Sequence, residues 1–200
     1  MRNDPIIITG AKRTGTRMLA AICEQLGIYF GEKKYLGEKY EHEAVYDIMS
    51  EDSVELLKDH FTGEKRWGLK HPVLTDYIDK IYERFPKARV IYITREFKMP
   101  ETKEAFDSFN YSGLEVKFGD KDCEKCLKKR FEKKQALRLT TFKKACPKDL
   151  PVLYIHYDDF VFNPIQGIRE IAQFLDVDVK EETFNWVKDF VYTNRSARSQ

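Results

Sequence analysis

Residues 6–19 read IIITGAKRTGTRML. Gly10 and Gly15 bracket Lys12, Arg13 and Thr14, and Thr16 and Arg17 follow at once. Residues of these types at this spacing can bind an anion. A short apolar strand, a tight turn and a helix start aim backbone N–H groups inward, and the helix dipole adds partial positive charge. Gly10 and Gly15 let the backbone approach a ligand closely. Their spacing fits the opening of a phosphate loop, G-x-x-x-x-G-K-[ST]. Thr16 and Arg17 stand where that motif has its lysine and its hydroxyl residue, which serve the terminal phosphates and Mg²⁺. Here the cations Lys12 and Arg13 lie inside the loop instead. The expected ligand is a phosphate held without the usual metal and triphosphate arrangement. The plain alternative is a strand, a turn and a helix with incidental glycines.

The elements that would position this loop alternate along the chain. Residues 6–9 form a short β-branched run, as a buried parallel strand does. Helical spacing over 16–26 puts Met18, Leu19, Ile22, Cys23 and Leu26 on one side, with Gly27 as the stop. A second short strand is expected at 28–30, a loop at 32–41, and a helix at 43–60 that breaks or bends near 50–53. Residues 67–70 read as a strand stopped by His71 and Pro72. An amphipathic helix follows over 73–85. RVIYIT, 89–94, is the strongest strand signal, and a loop and helix are expected after Arg95. Residues 121–145 form a long basic helix closed by Cys146-Pro147. A strand at 151–156 and helices at 164–175 and 181–192 complete the chain. Strands separated by helices mean βαβ units and a parallel sheet.

Composition narrows the class. Two hundred residues suffice for one α/β domain. Hydrophobic residues make up 42% and charged ones 34%, which describes a globular chain rather than a disordered one. A net charge of +2 argues against a general nucleic-acid or membrane-surface binder. No apolar run is long enough to span a membrane. The polar start, Met1 to Asp4, runs straight into a strand, so no signal peptide is expected. Cys23, Cys123, Cys126 and Cys146 make no disulfide framework, and a reducing, cytoplasmic setting follows. Cys123-x-x-Cys126 has metal-like spacing but no second pair, so two cysteines on one helix are the simpler reading and no metal is expected. The basic cluster from Lys121 to Lys134 reads as a solvated helix face or as an attractor for an anionic acceptor.

GAKRTGTRML resembles the 5′-phosphosulfate loop of sulfotransferases, G-x-P-[RK]-[ST]-G-T-[TS]. Gly10, Arg13, Thr14, Gly15 and Thr16 match. Lys12 stands where proline is common, and Arg17 where a hydroxyl residue is common. WGLKHPVLTDYIDKIYERFPKARVIYITRE, 67–96, is similar to the family segment with a lysine at one strand end and an arginine at the next. VLYIHYDDFVFNPIQGIREIAQFLDVDV, 152–179, resembles the late VRYEDL…DP…L…I…FLG segment. YEHEAVYDI, 40–48, resembles more weakly a stretch where many members carry a catalytic glutamate. The likeness covers most of the chain; 98–121 and the C-terminal tail match poorly.

The resemblance implies one P-loop-type three-layer α/β domain over 1–200, with a central parallel sheet flanked by helices. It implies 3′-phosphoadenosine-5′-phosphosulfate (PAPS) as sulfuryl donor and adenosine 3′,5′-bisphosphate as product. The acceptor would be a hydroxyl or amine of a small molecule, glycan or peptide. Arg13 and Lys70 would meet the charge that grows on the bridging oxygen. Glu43 is the first choice as base and His71 the second; each also has a plain reading, as a solvated helix-start acid and a strand-end histidine tied to backbone. Gly10, Lys12, Arg13, Thr14, Gly15, Thr16 and Arg17 would hold the 5′ end of the donor. Arg95 matches the arginine for the 3′-phosphate. Its partner is Lys103 at the expected spacing, or Ser108 if the loop has another length. Arg195 or Arg198 in the tail is a further nucleotide candidate. Two other classes stay open: a small-molecule or nucleotide kinase with a degenerate loop, and a nucleotide-binding protein that transfers nothing.

Overall fold

The structure is a computed structural model and describes residues 5–31, 66–98 and 121–196. Glu43, Lys103 and Ser108 lie outside the described residues, as do the elements expected at 32–41 and 43–60 and after Lys98.

Four strands form one parallel sheet in the order β2-β1-β3-β4. They are β1 (Ile6–Gly10), β2 (Gly68–Lys70), β3 (Arg89–Thr94) and β4 (Val152–His156). The register sets Ile8 beside Lys70 on one side and beside Ile91 on the other, and Gly10 beside Ile93. Thr94 pairs with His156. The carboxyl ends of the strands therefore share one edge. Alternate residues of a strand face opposite sides of its sheet, which divides the apolar residues between two cores. Ile6, Ile8, Ile91 and Ile93 pack on one face with helix α1 (Thr16–Gln25). Ile7, Leu69, Val90 and Tyr92 pack on the other.

Helices cover both faces, as an all-parallel sheet requires. On the first face, α5 (Pro164–Leu175) buries Ile168, Ile171, Ala172 and Leu175 at helical spacing. Pro164 at its first turn and the Asn163 side chain, which accepts from the Gln166 N–H at 3.3 Å, set its start. Helix α6 (Glu181–Ser196) adds Val187 and Val191 to the same core. Cys23 of α1 is also buried there, and burial pushes its thiol up to about 12. On the second face lie α2 (Ile78–Arg84) and the long α3 (Lys121–Ala145). Phe142 of α3 is fully buried, its ring centroid 4.6 Å from that of Tyr92.

Three local departures from the expected pattern have physical causes. The helix expected over 73–85 is a 3₁₀ turn, Pro72–Tyr77, followed by α2. The Thr75 hydroxyl lies 2.8 Å from that of Thr9, and His71 Nδ1 accepts from the Val73 N–H, so contacts with β1 and the strand end hold the tighter turn. The strand expected at 28–30 is a single bridge between Tyr29 and Trp67. A short helix, α4 (Tyr157–Phe162), follows β4 with no loop between them and was not expected. Asp158 and Asp159 in its first turn complement the helix dipole.

Removing the buried Phe142 ring should leave a cavity against Tyr92 and Tyr154. Phe142→Ala should cost about 3–5 kcal/mol, while Phe162→Ala, at a ring 82% exposed, should stay within about 0.5 kcal/mol. Urea denaturation of the two variants checks the contrast.

Candidate active site

Between β1 and α1 the backbone takes three left-handed positions in quick succession. Gly10 has φ 151°, Arg13 φ 71° and Gly15 φ 105°. The glycines are also forced by contact. A Cβ on Gly10 would lie 2.4 Å from the Ile93 carbonyl oxygen, and one on Gly15 would lie 2.4 Å from Cδ2 of Tyr157. Arg13 has no such freedom, so its conformation is strained and is maintained by the loop around it. Thr14 is buried, and its hydroxyl donates to the Ala11 carbonyl at 2.7 Å, closing the turn. Lys12, Arg13 and Arg17 are exposed around it. Gly15 is the N-cap of α1 and brings no side chain to cap it, and the first turn holds no acid. The positive end of the helix is thus left to be met from outside the helix. A loop with close backbone approach, three cations and an open helix start fits an anionic group.

Lys70 and His71 leave β2 at the same edge, and both are buried. The His71 N–H donates to the Ile8 carbonyl at 3.2 Å. Its carbonyl accepts from the Thr9 hydroxyl at 3.0 Å. Its Nδ1 accepts from the Val73 N–H at 2.9 Å. With Nδ1 accepting, the neutral ring carries its proton on Nε2.

Arg95 leaves β3 beside the loop. Its guanidinium carbon stands 4.3 Å from the centroid of the Tyr157 ring, within cation–π range. That ring is the one pressed against Gly15. The Arg95 N–H donates to Gln135 Oε1 at 2.8 Å, and Gln135 Nε2 donates to the Arg95 carbonyl at 2.9 Å. Asp158 accepts from the Glu96 N–H at 3.0 Å and pairs with the Lys98 ammonium at 2.8 Å. Burial alone would raise the Asp158 carboxyl. Lys98, the Glu96 N–H and Arg95 outweigh it and hold the carboxyl below its ordinary value. Two side chains of α3 reach residues that follow the strands: Gln135 bonds Arg95 after β3, and Arg138 bonds Asp76 after β2. The helix therefore crosses the end of β1, and Lys134 comes near Lys12. Burial first, and then Arg130, Lys12 and Arg138, lower the pKa of the Lys134 ammonium.

A model of the sulfotransferase family matches residues 31–181. The chain belongs to that family. The phosphate-type loop lies before the matched segment, so its reading rests on its own geometry and residues. Among solved structures, the fold is similar to a sulfotransferase from Alicyclobacillus acidocaldarius, at 16% identity and TM-score 0.50, over 96% of this chain and 93% of that one. It is similar to sulfotransferase STF1 from Mycobacterium tuberculosis, at 14% identity and TM-score 0.60, over 94% and 71%. It is also similar to mouse sulfotransferase SULT7A1 complexed with PAP, at 16% identity and TM-score 0.56, over 96% and 64%. At such identities the likeness is one of fold. No curated protein matches in sequence.

Within this sulfotransferase, the structure gathers Gly10, Lys12, Arg13, Thr14, Gly15, Thr16 and Arg17 with Lys70, His71 and Arg95 at the carboxyl edge of the sheet, where open α/β sheets bind ligands. Arg195 falls within α6, and its side chain lies outside the described residues. Among the described residues, no group of three His, Cys, Asp or Glu could hold a metal, and no helix is long and apolar enough to cross a membrane. Gln135, Tyr157 and Asp158 at the site went unread in the sequence. Tyr157 and Asp158 lie in the family-like segment 152–179, which was the available signal. Gln135 is one polar residue on the inward face of a basic helix, four positions from the buried Phe131, and nothing local marks it.

Asp158 gives the site a pH signature. Its folded pKa is depressed, so its contribution is complete above the ordinary value of 3.8 and is lost as pH falls through the lower folded value. Asp158→Asn should therefore be less stable than the unmodified enzyme at neutral pH, with the gap closing in strong acid. Thermal melts across pH 2.5–7 (about this range brackets the titration) check it.

Proposed function

We propose that this sulfotransferase uses PAPS as donor and transfers its sulfuryl group to a hydroxyl or amine of a small-molecule, glycan or peptide acceptor. The observation that carries the reading is the meeting of the loop with Lys70 and Arg95 at the ends of three neighbouring strands. The mouse relative complexed with PAP supports the choice of donor. The wide coverage of the Alicyclobacillus enzyme supports a single domain over 1–200.

When bound, the donor supplies an activated sulfuryl group; the chain supplies charge, orientation and a base. The N–H groups of the loop, with Lys12, Arg13, Thr14, Thr16 and Arg17, hold the 5′ end of the nucleotide. Arg13 and Lys70 face the oxygen on which negative charge grows. Cations fixed there in advance stabilise the transition state without reorganising. Arg95 holds the 3′-phosphate, with Lys103 or Ser108 as its partner and Arg195 as a further contact. Glu43 takes the proton of the acceptor. His71 is the second candidate. Its Nδ1 is engaged by the Val73 N–H, so Nε2 can accept a proton only after that bond and the tautomer change. This supports Glu43.

Adenosine 3′,5′-bisphosphate should bind more tightly than AMP, and Arg95→Ala should remove most of the difference, about 1.5–3 kcal/mol for a charge-assisted contact. Isothermal titration calorimetry measures both; equal binding to the unmodified enzyme would sink the assignment of Arg95.

The base is tested separately, with an acceptor found by screening against labelled donor. Glu43→Gln should keep its nucleotide affinity while turnover falls by about 10²–10⁴-fold, and His71→Gln should transfer much faster than Glu43→Gln. The reverse order would move the base to His71.

A further inference from the structure

Arg95 stands just past the end of β3, where a chain leaving a sheet ordinarily loses its backbone partners. Here the next contacts are supplied by side chains of two other elements. The Gln135 carboxamide bonds both backbone groups of Arg95, at 2.8 Å and 2.9 Å. One primary amide offers a donor and an acceptor side by side, so it pairs with Arg95 much as a neighbouring strand would. The Tyr157 ring holds the other end of the residue. Tyr157 is buried, and its ring lies 4.3 Å under the guanidinium and meets Gly15 on the loop. Asp158, the next residue, fixes Glu96 and Lys98 and so limits where the chain can go after Arg95. A guanidinium on four rotatable bonds loses much freedom when it binds a phosphate, and pre-ordering reduces that loss.

We infer that Gln135 and Tyr157 are positioning residues that set the enzyme's selectivity for a 3′-phosphorylated nucleotide by fixing Arg95 against the loop. The inference rests on the assignment of Arg95 to the 3′-phosphate proposed above. Gln135 fixes the backbone from which the side chain starts. Tyr157 fixes the plane of the guanidinium and ties it to Gly15, so the two ends of the nucleotide are held at a set separation. Neither residue has to touch the nucleotide.

The experiment measures the affinities of adenosine 3′,5′-bisphosphate and of AMP for the full chain by calorimetry, and takes their ratio. A purely structural loss weakens both nucleotides alike and leaves the ratio unmoved. Gln135→Leu, which keeps bulk but cannot bond the Arg95 backbone, should lower the ratio by about fivefold, the scale of one or two hydrogen bonds. Tyr157→Leu should lower it by a similar factor, and Tyr157→Phe, which keeps the ring, should retain it. The inference is overturned if Gln135→Leu leaves the ratio unchanged while both nucleotides weaken together or not at all. If Tyr157→Leu does not fold, Gln135→Leu decides alone, since that side chain is only half-buried. An unmodified enzyme with equal affinity for the two nucleotides would remove the Arg95 assignment, and this inference with it.

Discussion

The pairing of β1 between β2 and β3 is the constraint on which the rest depends. All five residues of β1 are buried, and a buried backbone must find partners for its N–H and C=O groups. The two neighbouring strands supply them, and that fixes the register on both sides. The register then dictates the residue where the strand ends. Gly10 lies beside Ile93, so close to its carbonyl that no side chain fits. The chain must turn there, and it turns into the loop that leads to α1. Thr9, one residue earlier, bonds the carbonyl of His71 and the hydroxyl of Thr75. The strand that begins the loop thus also ties down the segment that follows Lys70.

The parts of this fold that depend on neighbours in sequence were legible, and those that depend on distant partners were not. The β-branched runs at 6–9 and 89–94 can be read directly, because a strand covered on both faces must be apolar throughout. The limits of α5 follow from Pro164 at one end and the end of its apolar stripe at Leu175. The long basic α3 stops near Cys146-Pro147, where proline forbids continuation. By contrast, the 3₁₀ turn after His71 is chosen by Thr9, more than sixty positions away. Helix α4 is too short to show a period. At the site, the glycines and cations of the loop were visible because they stand next to one another in the sequence. Gln135 acts on a residue forty positions away, which no local pattern reports.

Charge is distributed unevenly over the molecule. The net value is only +2, yet the loop and the long helix bring Lys12, Arg130 and Arg138 within electrostatic range of Lys134. Asp76 offsets Arg138 at one end of this group, and Asp158 offsets Lys98 at the other side of Arg95. Cations held near one another repel, and an anion in their midst relieves that repulsion. The electrostatics of the edge and the shape of the loop therefore favour the same kind of ligand, and they do so from separate elements.

Cys23 has a practical meaning that lies apart from catalysis. It sits in α1, the helix that starts at the loop, enclosed in the core with its thiol pushed to about 12. In the folded state it is neither accessible nor ionised, so a thiol-reactive dye cannot attack it. Cys126, on the outer side of α3, is exposed. Among the described thiols, Cys126 is open to a reagent, Cys146 is half-buried and Cys23 is the enclosed, slow one. The slow one is a native clock: its labelling rate counts how often α1 lifts from the sheet and the loop comes undone.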